Sequence, residues 1–160
     1  KAEPGGGKIL QVQSVIVSTG VSSTSTSYVD TDLYKAITPA STSNKILILV
    51  SFPCKSTKND TTSASTASNI YVGLFTTDVD GTKLADGQVA YQYTPSSTGT
   101  SYAMSGWASF AYLHSPSTTS AYTYRIGFRG ISTSWTQTAF TNLSGDDCVG
   151  SMVLMEVDGT

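Results

Sequence analysis

Hydrophobic positions along this chain recur mostly at every second residue, and the main exception lies near the centre of the first half. Residues 37–52 read ITPASTSNKILILVSF, a turn cluster followed by the unbroken apolar run Ile46-Leu47-Ile48-Leu49-Val50. That run is too short to span a membrane and too β-branched to favour a helix, so it predicts a strand. A sandwich strand alternates, because only one of its faces meets the core. Continuous apolarity therefore predicts a strand covered on both faces, with a partner subunit as the expected cover of the second.

Upstream, residues 8–17 (KILQVQSVIV) predict a first strand with Leu10, Val12 and Ile16 in one phase. Residues 18–27 are polar and low in complexity, and residues 33–37 form a short strand leading into the central turn. Pro53 is expected to stop the central strand. Residues 54–68 (CKSTKNDTTSASTAS) then have no period, the mark of a long loop that is functional or disordered. Alternation returns over 69–76, where Ile70, Val72 and Leu74 face one way, and again at Val89, Tyr91 and Tyr93. Between these, Asp80-Gly81 and Asp86-Gly87 are both hairpin turn signals.

Residues 101–114 have period two despite their Ala and Met: Tyr102, Met104, Ala108, Phe110 and Tyr112 share a phase, and Gly106 is expected at a bulge. Tyr122, Tyr124, Ile126 and Phe128 are predicted inward, with Thr123, Arg125 and Arg129 outward. A weaker strand over 134–142 and the dense run VGSMVLMEV at 149–157 complete the pattern. No amphipathic helix stands out. About eight to ten short, evenly spaced strands predict an all-β fold, a jelly-roll-like antiparallel β-sandwich. It would occupy one domain over residues 8–158, after a flexible lead-in at residues 1–7 (KAEPGGG).

Composition supports a folded domain. Charged residues make up 12% of the 160, about half the usual share of roughly 25%. Ser and Thr fill the gap at close to a third of the chain, while nine Tyr, five Phe and two Trp supply a core. A net charge of -2 with no basic cluster argues against nucleic acid. No hydrophobic stretch predicts membrane insertion, no signal peptide is visible, and the chain begins at Lys1 without Met, as a processed protein or a fragment does. Cys54 and Cys148 are far apart with no CxxC spacing, so two free, semi-buried thiols are expected rather than a disulfide.

Candidate chemistry is sparse. His114 is the only histidine, so any Ser-His-Asp or Cys-His device must use it; a His at a strand end before a Pro turn accounts for it more simply. Asp78-Val79-Asp80-Gly81 with Asp86 faintly resembles a calcium loop, but the closing bidentate Glu is missing and a hairpin explains the residues. Arg125 and Arg129 suit ion pairs with acids such as Glu156 or Asp158 better than an anionic sugar. Trp107 and Trp135 stand opposite the expected core phases of their strands, as rings stacking on sugars or filling an interface would. No catalytic residue, cofactor or metal site is predicted, and the expected class is not an enzyme.

The order of several segments resembles a family of small Ser/Thr-rich β domains in bacteriophage tail or head fibres and related marine virus proteins. The matching pieces are PGGGKILQVQS at 4–14, STSTSYVDT at 23–31, ITPASTSNKILILVS at 37–51, YLHSPSTTSAYTYRIGFR at 112–129 and SMVLMEV at 151–157. His114 departs from the family pattern, where a small acidic residue is expected before Ser-Pro. The resemblance implies a virion component, often the distal domain of a homotrimeric fibre, located in the extracellular particle among other virion proteins. It implies no catalytic residue.

The expected function is therefore that of a phage fibre domain acting in host attachment. The rivals are a capsid decoration or tail-assembly protein with no receptor, and a carbohydrate-binding module. A host surface glycan or protein would be met on loops, which can vary without disturbing the core. The candidates for that contact are Lys55, Lys58, Asn59, Asp60, Tyr91, Tyr93 and Trp135.

Overall fold

The structure is a computed structural model that describes residues 7–58, 66–94, 102–141, 146 and 148–159. Ten strands form: β1 (Ile9–Val17), β2 (Val21–Ser23), β3 (Val29–Ile37), β4 (Lys45–Lys58), β5 (Thr66–Thr76), β6 (Lys83–Thr94), β7 (Ala103–His114), β8 (Tyr122–Arg129), β9 (Trp135–Ala139) and β10 (Gly150–Val157). All pairings among them are antiparallel. One sheet has six strands, in the order β1-β10-β4-β9-β2 with β7 also on β4; the other is β3-β8-β5-β6. Numbering only the eight longer strands in chain order, without β2 and β9, the sheets run 1-8-3-6 and 2-7-4-5. That order is two interlocked Greek keys, a jelly roll, as the alternation predicts.

The fourteen-residue β4 organises the larger sheet. One edge pairs with β7 along nearly its whole length, from Ile46↔His114 to Thr57↔Ala103. The other edge pairs first with β10, over Lys45 to Ser51, and then with β9, over Cys54 to Lys58. Pro53 falls at the changeover and does not stop the strand, contrary to the sequence expectation. Its carbonyl accepts from the Phe140 amide at 2.8 Å on the edge where the partner changes, so the missing N–H costs no ladder bond. Phe140 turns there with φ 60°, and its ring meets Phe52 at 5.3 Å between centroids.

Alternating positions fill the space between the sheets. Ile46, Ile48, Val50 and Phe52 of β4 meet Ile70, Val72 and Leu74 of β5 and Tyr124, Ile126 and Phe128 of β8, with Met152 and Leu154 from β10. Towards the far end of β4 the interior turns polar: Ser56 and Ser68 are buried and share a 3.2 Å hydroxyl contact, beside buried Gln137. At the opposite end, buried Glu156 accepts from the Ala40 amide (2.7 Å), Asn44 Nδ2 (2.6 Å) and Gln11 Nε2 (2.6 Å). One carboxylate thus ties β1, β10 and the β3–β4 turn together. Burial raises the Glu156 pKa, and these donors outweigh it, so the carboxyl lies below its ordinary value.

Several local expectations change. Residues 54–58 and 66–68 continue β4 and β5, so the aperiodic loop is shorter than its composition suggests; residues 59–65, Asn59 and Asp60 among them, lie outside the described residues. Asp80-Gly81 does turn the chain, with Gly81 N donating to Asp78 O at 2.8 Å. Asp86-Gly87 instead sits inside β6, opposite Gly73 and Val72. Gly106 is paired with Cys54 in unbroken register and forms no bulge. Its lack of a side chain lets β7 approach β6, since a Cβ there would lie 3.2 Å from Val89 Cγ1.

Candidate functional site

The outer face of the larger sheet is the first candidate surface. Register places Val12, Met155, Leu47 and Leu113 side by side across β1, β10, β4 and β7. The next row is Ser14, Val153, Leu49 and Ala111, and beyond it come Ile16, Ser151, Ser51 and Ser109. No charged side chain interrupts these rows. Val12, Ile16 and Leu113 are 53%, 69% and 52% exposed, and Leu47, Leu49, Val153 and Met155 are half-buried. Trp107, opposite Pro53, extends the strip at 64% exposure, in the outward phase expected of it. The second apolar phase of residues 46–50 is therefore real, and so is that of β1, whose more apolar phase faces solvent. Large apolar strips of this kind mark interaction surfaces.

The outer face of the smaller sheet is chemically different. Arg125 pairs with Asp30 and lies 4.2 Å over the Tyr34 ring. Arg129 lies 4.4 Å over Tyr71, its register partner, and 5.3 Å over Tyr28. Tyr28 Oη donates to Asp86 at 2.9 Å, and Lys83 reaches the same carboxylate at 2.6 Å. The Lys83 hydrogen bond holds the Asp86 carboxyl below its ordinary value, and burial with the Asp86 bond pushes the Tyr28 hydroxyl up. Both arginines do make structural contacts, but with Asp30 and tyrosine rings rather than with Glu156 or Asp158. Gly73 and Gly127 face each other in this sheet and leave room for Phe75: a Cβ on Gly127 would meet Val79 Cγ1 at 2.9 Å.

The candidate contact residues separate. Tyr91 and Tyr93 point outward from β6 and are 57% and 58% exposed. Lys55 is half-buried on β4, in the other sheet, so it does not join them. Lys58 is 3% exposed, with its Nζ 5.8 Å from the Tyr102 ring centroid. Trp135 pairs with Lys58 in register and is fully buried, which corrects the expectation of a surface ring. In β9 the inward phase is Trp135, Gln137 and Ala139. A Gln in the inward phase and threonines in the outward one hide that from a hydropathy pattern. The contacts that sequence reasoning missed are Asn69 and Gln88 beside Tyr91. Their signal was weak, since neither amide breaks its strand's alternation.

His114 packs against the aromatic edge of the core. Its Nδ1 lies 2.9 Å from the hydroxyl of buried Tyr124, and its ring packs 5.4 Å from Tyr122. Desolvation lowers its pKa, and burial raises that of Tyr124. Both cysteines are free; Cys54 is fully buried, not semi-buried, and burial pushes its thiol up to about 12. Among the described residues no three His, Cys, Asp or Glu side chains gather as metal ligands would. No helix there is long and apolar enough to cross a membrane.

Neither a protein-family model nor a curated protein matches the sequence. Solved structures similar to the chain include VP2 of infectious bursal disease virus in its subviral particle, at TM-score 0.43 and 9% identity over 93% of this chain and 33% of that one. The Gx strain of the same virus gives 0.34 and 12% over 91% and 36%, and its T13 particle 0.35 and 13% over 94% and 36%. The chain spans about a third of the length of these proteins.

Proposed function

We propose that this chain is a structural subunit of a virus particle, a phage fibre domain that packs against two further copies through the outer face of its larger sheet. The observation that carries the self-assembly is the uncharged apolar strip running from Val12 to Leu113 across four strands. The strip itself carries no charge, Lys45 and Lys55 lying beyond its two ends on β4, and its natural complement is another apolar strip like itself. The virion setting is supported by the ordered resemblance of five segments to fibre domains, and by a jelly-roll order that recurs in viral capsids and lectins. The threefold count and the role in host attachment follow from the same resemblance.

Light scattering across micromolar concentrations tests the reading. The expected mass is three times the 16.8 kDa of the chain. Leu49→Lys with Val153→Lys should give folded monomers, because both side chains point away from the core. A monomeric parent, or a double variant that keeps the parent's mass, overturns the assembly. Cryo-electron microscopy of particles carrying the chain locates it at a fibre or in the capsid lattice, and a lattice position overturns the fibre assignment.

A further inference from the structure

We propose that the edge of the smaller sheet's outer face, along β6 and β5, binds an oligosaccharide. The inference concerns the attachment half of the reading above and rests on it only for its setting, because binding and self-assembly are measured separately.

Tyr91 and Tyr93 are two residues apart on an edge strand, so their rings stand on one face roughly 7 Å apart along the strand. Both are more than half exposed, although aromatic rings gain most by leaving water. Among the described residues no charged neighbour is paired with either, and their register partners are the small Ala67 and the amide Asn69. Among those residues the faces are therefore open, side by side and without an internal partner. Flat apolar faces on a rigid strand match the C–H faces of pyranose rings, whose edges then turn hydroxyls to either side.

Those hydroxyls need donors and acceptors, and the strip supplies both. Asn69, opposite Tyr91, is 4% exposed and donates from Nδ2 to Gln88 Oε1 at 3.3 Å. This orients the exposed Gln88 amide and leaves its NH2 group to donate to a ligand. Among the described residues Asn69 Oδ1 itself has no partner, an unusual state for a buried acceptor and one that a ligand hydroxyl would relieve. Beyond Gln88, its register partner Tyr71 lies under the Arg129 guanidinium. From Tyr93 to Gln88 the strip covers five residue steps, about 17 Å. That length suits several linked sugars better than one. The nearby Lys83 and Asp86 neutralise each other, so nothing beyond Arg129 asks for an acidic sugar.

The test is titration of the intact chain with chito-, malto-, cello- and laminari-oligosaccharides and with sialyllactose, followed by amide NMR shifts and tyrosine fluorescence. At least one neutral oligosaccharide should bind in the millimolar range or tighter, shifting the amides of residues 88–93, with longer oligomers favoured over the monosaccharide. Tyr91→Ala and Tyr93→Ala should each weaken it roughly two- to tenfold. Gln88→Ala should also weaken it, while Thr123→Ala, on the distant β8, should not. Light scattering on the same samples reads assembly independently, so either proposal can fail alone. If none of these sugars shifts residues 88–93, or if binding survives the double variant Tyr91→Ala/Tyr93→Ala in a protein with parental folding, the proposal is wrong. A preference for sialyllactose over every neutral sugar would overturn the neutral class.

Discussion

Removing the Glu156 carboxylate should cost far more than a strand-end polar residue normally does. Glu156 is 1% exposed, and its three donors come from two separate segments, β1 and the β3–β4 turn. Glu156→Ala leaves the Ala40 amide and the buried Asn44 side chain without acceptors, while Gln11 keeps Thr38 O at 2.8 Å. The buried Asn44 donor stripped of its partner costs about 1–3 kcal/mol, and the lost bond from the exposed Ala40 adds about 1 kcal/mol, together about 3 kcal/mol. In a chain of this length that lowers the melting temperature by about 6–12 °C. Glu156→Gln keeps one acceptor and sets an NH2 group against a donor, so it should cost less but still measurably. The pH dependence follows from the sign of the shift. The folded carboxyl lies below the ordinary 4.5, so its contribution is full above 4.5 and is lost as the pH falls through the folded value. His114 has its pKa lowered from 6.5, so the unfolded chain takes up its proton first, and this loss of stability begins below 6.5. Urea unfolding at fixed protein concentration, from pH 7 to pH 3, separates the two. Glu156→Gln should flatten only the limb below about 4.5. If it is as stable as the parent at pH 7 and its acid limb is unchanged, the carboxylate is not the clamp described here.

The two tryptophans should behave oppositely. Trp135→Ala removes a fully buried ring and should cost about 3–5 kcal/mol in urea unfolding, whereas Trp107→Ala should change the stability of the unassembled domain by less than about 0.5 kcal/mol. Thiol labelling at pH 8 should modify half-buried Cys148 in the native protein and reach Cys54 only on unfolding; rapid native labelling of Cys54 would contradict its burial. Gly127→Val should destabilise the smaller sheet by forcing Val79 and Phe75 apart, with a lowered melting temperature as the readout.

Fold class was legible because the dominant signal, period-two hydropathy, is what a two-sheet core imposes on every strand. Tyr122, Tyr124, Ile126 and Phe128 show it cleanly, and they lie inside as that pattern requires. The double phase of residues 46–50 was also visible in the residues themselves. Errors came where a local signal was overridden by its neighbours. Pro53 marks a strand end only if its N–H is needed, and the exchange of β10 for β9 removes that need. Residues 54–58 carry no apolar period because the interior there is made of Ser56 and Lys58 opposite Ser68 and Gln137, and polar interiors leave no hydropathy trace. Trp135 was misplaced for the same reason. Asn69 and Gln88 could not be paired in advance, since their contact depends on the shift in register between Ile70 and Tyr71.

The two proposed surfaces constrain each other through the fold. Stacked sheets lie about 10 Å apart with their inner faces together, so their outer faces point in opposite directions. If copies meet through the apolar strip of the larger sheet, the face bearing Tyr91 and Tyr93 must turn away from the centre of the assembly. Each copy would then present one sugar-binding strip outward. The arrangement also accounts for the distribution of charge. Arg125, Arg129, Lys83, Asp30 and Asp86 all sit on the smaller sheet, where solvent must be met, while on the outer face of the larger one Lys45 and Lys55 of β4 lie beyond the ends of the apolar rows. Strips turned away from the centre point in different directions and would not all meet one flat surface, so each would have to hold its own sugar chain. Exposed tyrosines without partners among the described residues are then what division of labour between two faces would produce: one face would be covered by self-association, and the other would stay open for a ligand.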